Sequence, residues 1–183
     1  MSDTHGKRGI SLVVNSAEAE AQSRLSAMRL VSLTLRLMER WRGLVEDNDC
    51  AMIMMAVALI NTESLTRTKL VEHGIADIKN GVPPNLLRKC NISSVALATG
   101  LNRETTRRKV AHLIKRGFLA RAADGHVYLE PELGIRGVMA QTVRSQLETF
   151  AKAANEFLRD GTLKLLNDPE SPAQADGGLS NYL

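Results

Sequence analysis

The sequence predicts a mainly α-helical protein that carries one small two-stranded β-ribbon. Three observations predict it. Residues 17–46 and 135–161 are rich in Ala, Leu, Arg and Glu, with apolar side chains recurring at helical spacing. The run from Cys50 to Asn61 is apolar on all sides, as the buried centre of a helical domain would be. Two short strand-like runs, Phe118 to Arg121 and His126 to Glu130, flank Asp124-Gly125, a strong hairpin pair. With 183 residues and 44% hydrophobic content the chain can bury a real core. Aromatic residues are only 3%, so that core must be built from aliphatic side chains and Met.

From the start of the chain, residues 1–16 read as a mobile N-terminus, within which Ile10 to Val14 has the composition of a short strand. Met1 to Gly9 is polar, so no signal peptide is expected. A long helix over 17–46 follows, with no Gly or Pro before Gly43. Its apolar residues form two stripes, Met28-Val31-Leu35-Met38 and Leu30-Leu33-Leu37-Trp41-Leu44. One stripe serves a surface helix. Two suggest that one faces its own domain and the other, with Leu37 on it, a second subunit; burial inside a monomer is the alternative.

Glu46 to Asp49 is a helix-start cluster for the apolar helix Cys50–Asn61. Within that helix Met52, Met54 and Met55 suit core filling, or less commonly an adaptable ligand pocket. A helix is expected over Leu65 to Asn80, a break at Gly81 to Pro84, and one more turn over Asn85 to Cys90. Next comes NISSVALATGLNRETTRRKVAHLIKRGFLARAADGHVYLE, residues 91–130. A short helix begins here, with Ser93 as its expected N-cap and Val95 and Ala96 facing inward. Gly100 breaks it. Asn102 caps a second helix that runs to about Arg116, and Gly117 ends it. After the hairpin, Pro131 to Gly134 reads as a turn. A second long helix should run from Arg136 to Asp160, with Met139, Val143, Leu147, Phe150, Ala154 and Phe157 on one face. Gly161 is its stop, and residues 162–183 read as a disordered, mildly acidic tail.

The second helix of the 91–130 stretch carries the chemistry. At 100° per residue Thr106, Val110 and Leu113 share one face, and Glu104, Arg108, Ala111 and Lys115 lie opposite, with Arg107 to one side. Arg donates two hydrogen bonds to guanine O6 and N7, and a small Ala111 would let the helix axis approach a groove. Arg103, Lys109 and Arg116 lie on the flanks, where phosphates would be. The bland alternative is a solvated basic helix with Glu104 and Arg108 as an i,i+4 pair. A charge run alone favours the bland reading; the turn before this helix and the ribbon after it favour the first, and the charge is placed as that reading requires. Pro83 to Arg121 holds nine of the 24 basic and one of the 20 acidic side chains, a net of +8 against −4 for the rest. Phosphate binding requires such a concentration of positive charge.

Helix, three-residue turn, helix and β-ribbon resembles the winged helix-turn-helix of bacterial transcription regulators. Their string is a small residue, Gly-Leu, a cap, Arg-x-Thr-x-x-Arg, apolar positions and a Gly before the wing. Ala96, Gly100, Leu101, Asn102, Arg103, Thr105, Arg108, Val110, Leu113 and Gly117 stand in those places. Two positions depart. Thr106 replaces an apolar residue, and Leu97 replaces a polar one, which suggests that neighbouring chain, the insert of residues 61–91, covers Leu97. The resemblance spans about 40 of the 183 residues. Long helices before and after such a domain are similar to the MarR-type order of elements, from which the insert departs.

The resemblance implies a winged helix-turn-helix DNA-binding domain over 47–134, flanked by dimerisation helices at 17–46 and 135–161. It implies a sequence-specific, homodimeric transcription regulator of double-stranded DNA. Ser93, Asn102, Arg103, Glu104, Thr105, Arg107, Arg108, Lys109, His112, Lys115, Arg121 and His126 are the expected DNA-contacting residues. A winged-helix module that binds another protein is the alternative. No HExxH, GxSxG, Walker loop or GxGxxG occurs, so no catalytic residue, cofactor or metal is expected; an enzyme with a cryptic site is a third possibility. His112 and His126 could equally be ordinary surface histidines. Cys50 and Cys90 have no zinc spacing and read as reduced, buried thiols. The longest apolar run is too short for a bilayer, and a cytoplasmic location is expected. A small-molecule effector is left open.

Overall fold

A computed structural model describes residues 9–132 and 137–168. The chain is mainly helical, with small antiparallel strand pairs, and none of its described helices is long and apolar enough to cross a membrane. It divides into two compact units, residues 9–37 with 146–168, and 38–132 with 137–145. Among the expectations above, those for residues 1–8, the second half of the 131–134 turn, the helix start at Arg136 and the tail from residue 169 lie outside the described residues.

In the first unit, β1 (Gly9–Val14) pairs antiparallel with β4 (Leu163–Asp168), in the register Ile10↔Asn167, Leu12↔Leu165 and Val14↔Leu163. Ile10 to Val14 is the short strand its composition predicts; residues 163–168, expected in a disordered tail, are its partner. The cause of this pairing is non-local. The Asn15 amide donates to the Thr162 carbonyl at 2.9 Å, and the Thr162 amide donates to the Asp160 carboxylate at 3.0 Å. The expected single helix from Ala17 is two, α1 (Ser16–Ala21) and α2 (Ser23–Val45). Between them Gln22 leaves helical geometry and donates its side-chain amide to Glu18 and to the Asp160 carbonyl. Arg29 on α2 pairs with Asp160, lies 3.6 Å from Glu156 and stacks 5.8 Å over the Phe157 ring. These three partners sit at the end of α7 (Val138–Arg159) and just past it.

The two stripes of α2 separate only in part. Leu33, Leu37, Trp41 and Leu44 are half-buried and Met28, Val31 and Leu35 are exposed, but Leu30 is exposed and Met38 half-buried, each against its own stripe. Leu37 is therefore on the inward stripe, and Leu35 on the outward one. On α7 the expected single stripe splits: Met139 and Phe157 are buried, while Val143, Leu147 and Phe150 face solvent. The inward face follows Thr142, Gln146, Thr149, Ala153 and Phe157 instead, a 3.6-residue period that a near-heptad reading does not follow.

The second unit is built round α3 (Asn48–Thr62), whose N-terminus is capped by the Asp47 carboxylate accepting from the Cys50 amide at 2.9 Å. Ile53, Met54 and Val57 are almost fully buried against Val95, Val110, Leu113, Leu119 and Val127. α3 packs on α5 (Ile92–Thr99), α6 (Arg103–Lys115) and β3 (Val127–Leu129). The helix expected over 65–80 is only α4 (Arg67–Glu72), followed by Gly74 at φ +64° and a self-bonded loop. A single 3₁₀ turn, Pro84–Leu86, stands where a turn over 85–90 is expected.

Candidate nucleic-acid interface

Backbone capping sets up the two-helix unit. Asn91, not Ser93, caps α5: its Oδ1 accepts from the Ser94 amide at 3.0 Å, and Ser93 is simply exposed. An Asn has the better reach to the amide three residues on, and the apolar Ile92 then enters the first turn. α5 ends at Gly100 with φ +68°, the left-handed conformation that only Gly takes without steric cost. Asn102 accepts from the Glu104 amide at 2.8 Å and starts α6 at a new angle.

On α6 the inner face is as the sequence predicts. Thr106, Val110 and Leu113 are fully buried. The Thr106 hydroxyl donates to the Asn102 carbonyl at 3.0 Å, which satisfies the one polar group in that row. The outer face exposes Arg103, Glu104, Arg107, Arg108, Ala111, His112 and Lys115, with Thr105 half-buried beside them. A shallow groove lined by Ile92, Asn102, Arg103, Glu104 and Arg107 lies at the N-terminal end of α6.

Charges on this helix differ in availability. Glu104 pairs with Arg107 at 2.6 and 2.9 Å, an i,i+3 bridge in place of the expected i,i+4 pair with Arg108. That bond lowers the pKa of the Glu104 carboxyl and raises that of Arg107. Arg103, Arg108 and Lys115 form no salt bridge among the described residues, although the charge of Arg108, after Arg107, also lowers the pKa of the Glu104 carboxyl. Lys109 turns inward: its ammonium binds the Asp47 carboxylate, and only 20% of its side chain is exposed. Arg116 also has an internal role, with Nη1 3.3 Å from the Val45 carbonyl and 3.4 Å from Glu46, and its guanidinium 5.2 Å over Phe118. Both pin α6 to the junction between α2 and α3.

Beside α6 stands the hairpin of β2 (Leu119–Arg121) and β3, in the register Leu119↔Leu129, Ala120↔Tyr128 and Arg121↔Val127. Gly125 at φ +86° closes its turn, as Asp124-Gly125 predicts. Arg121 is exposed on the first strand. At the tip, Asp124 lies 2.9 Å from both Lys89 Nζ and His126 Nδ1. The Lys89 ammonium first, then His126, hold the Asp124 carboxyl well below the usual carboxylate range. Lys89 was not among the expected contacts. Its signal was faint, a basic residue just before Cys90, whose carbonyl accepts from the Val127 amide at 2.8 Å and so edges the hairpin.

Asn61 also carries no motif, yet it ties these parts together. Buried at the end of α3, its Nδ2 donates to the carbonyls of Arg88 and Val127 at 2.9 and 3.3 Å, and its Oδ1 accepts from the Leu129 amide at 3.3 Å. Leu97, expected beneath the 61–91 insert, is 87% exposed. The insert turns instead toward β3 and the start of α7, where it lines a cavity with Leu129 and Met139. Cys50 and Cys90 are buried free thiols; burial pushes Cys90 up to about 11. Among the described residues no group of three or more His, Cys, Asp or Glu could hold a metal ion.

Comparison with protein-family models, curated proteins and solved structures finds no match to this chain.

Proposed function

We propose that this chain is a sequence-specific DNA-binding transcription regulator with a winged helix-turn-helix, in which α6 enters the major groove and the β2–β3 hairpin is the wing. One observation carries the reading. The outer face of α6 presents Arg103, Arg107, Arg108 and Lys115 around the small Ala111, while its inner face is anchored in the core. Arg108 is the base reader on this reading, because no salt bridge among the described residues holds it, whereas Arg107 is bridged to Glu104. Arg103, Lys115 and Arg121 supply phosphate contacts, while Lys89 is already paired with Asp124. Lys109 and Arg116 fix the angle of the helix, since a cation already paired gains little from a phosphate.

The protein acts as a homodimer on this reading. The first unit exposes Met28, Val31 and Leu35 on α2, Leu147 and Phe150 on α7, and Ile10, Leu12, Val14 and Leu165 on the ribbon. So much apolar surface on so small a unit calls for a partner, and a two-fold copy of the same unit is self-complementary. Two half-sites one duplex turn apart, about 10 base pairs, would then form a palindrome. The test is selection of bound sequences from random duplex DNA. A palindromic consensus is the expected result, and recovery of unselected sequences would refute the reading.

Leu97 favours a second reading. An 87% exposed Leu beside Ala98, near the apolar groove of Met52 and Met55, suits a protein partner instead of a phosphate backbone. Binding to duplex DNA that falls steeply with salt separates the two, because counterion release has no counterpart in an apolar contact.

A further inference from the structure

The insert of residues 61–91 makes α4, a loop and one 3₁₀ turn, and α4, the loop and Leu87 wall a cavity of about 300 Å³ in the second unit. Leu70, Ile75, Val82 and Leu87 line it from the insert, and Leu129, Pro131 and Met139 from the opposite side. Its volume falls at the lower end of the range for small-molecule sites.

The wall is preformed. Asn80 donates from its side-chain amide to the Gly74 carbonyl at 2.9 Å, the Ile75 backbone amide donates to the Leu70 carbonyl at 2.9 Å, and the Lys79 backbone amide donates to the Asp77 carboxylate at 2.9 Å. Ile75 is buried and anchors the loop. At the rim, Gly81 lies beside Pro131: a Cβ added to it would stand 3.6 Å from the Pro131 Cβ.

The polar groups around the space are already spent. The Asn61 amide serves Arg88, Val127 and Leu129, and the Thr62 hydroxyl donates to the Ala58 carbonyl at 2.8 Å. A cavity whose donors are used internally holds water poorly and apolar molecules well. Glu130 is the one ionisable residue in the lining, and a carboxylate beside an apolar space disfavours an anion there.

We infer that this cavity is a binding site for a small apolar molecule that is uncharged or cationic. One wall continues directly from β3, so an occupant touches the strand that carries the hairpin. The site itself stands independently of the DNA reading, and its test needs no duplex.

The experiment is equilibrium dialysis of the full chain against a matched pair, 1-naphthylmethylamine (a cation at pH 7) and 1-naphthaleneacetate (an anion). The expected result is one saturable site per chain, with the amine bound at least tenfold more tightly. Ala76→Trp, an exposed position on the lining, should weaken the amine at least tenfold by filling the space. Should that variant melt early, Ile78→Trp on the same lining takes its place. Leu35→Asp, which cuts the rival apolar face of the first unit, should leave the affinity unchanged. The inference is overturned by non-saturable uptake, by equal binding of the anion, or by affinity that survives the Trp variants.

Discussion

Arg107 and Arg108 are adjacent and both exposed, and helical spacing sets Arg108 opposite the buried face with Arg107 to one side. Geometry adds a second distinction. Arg107 is held in a two-point bridge to Glu104, whereas Arg108 forms no salt bridge among the described residues. Arg108→Ala should therefore cost about 1–3 kcal/mol on a preferred duplex and relax preference at one position. Competition binding against random duplex checks it, and an unchanged ratio would remove Arg108 as a reader. Asn61 is the opposite case, a polar residue whose worth is purely architectural. Asn61→Ala leaves two carbonyls and an amide without their partner inside the second unit. At about 1–3 kcal/mol for each group left unsatisfied, the unfolding free energy should fall by at least about 3 kcal/mol, read from urea denaturation. Asp47 has a pH signature. The Lys109 ammonium first, and the Cys50 amide second, hold its carboxyl below its ordinary value of 3.8. A depressed carboxylate pKa stabilises the fold above the unfolded value, and that contribution is lost as pH falls through the folded one. Asp47→Asn keeps the cap and removes the charge, so its stability should decline less than the parent's below about pH 4. Parallel acid limbs in urea midpoints measured across that range would contradict the assignment.

Elements were legible where local chemistry decides them. Asn102 as a cap, Gly100 and Gly117 at positive φ, and Asp124-Gly125 in the turn all act within a few residues of themselves. The hairpin so formed allows a test of its own: Arg121→Ala should weaken every duplex alike and lower the salt slope by about one unit, because a phosphate contact carries no sequence information. A full salt slope in that variant would mean the hairpin does not touch DNA. Elements misread from the sequence share one cause. The helix expected over 65–80 stops at Glu72 because Gly74 turns the chain, and the Ile75 side chain is drawn into a buried site. Helical propensity in that stretch is outweighed by an anchor whose other half is distant in sequence.

At the scale of the molecule the decisive quantity is unpartnered apolar surface. Leu35 at 65% and Phe150 at 54% exposure are the clearest markers in the first unit. Sedimentation at micromolar concentration should give a dimer. Leu35→Asp or Phe150→Asp should give a monomer with weakened palindrome binding, because a buried carboxylate without a partner is costly at a two-fold contact. A monomer from the unmodified protein would shift weight to the protein-binding reading.

The sequence by itself determined the helical class, the inner row Thr106-Val110-Leu113 and the concentration of positive charge on residues 83–121. Each is periodic or compositional, so each is written locally. Tertiary structure alone decided that β1 pairs with β4, that Asn61 ties three segments together, that Lys109 and Arg116 bind inward, and that the insert walls a cavity while leaving Leu97 bare. These depend on partners far apart in the chain. No local pattern records which acid meets which base, or which strand finds which edge, until burial brings them together.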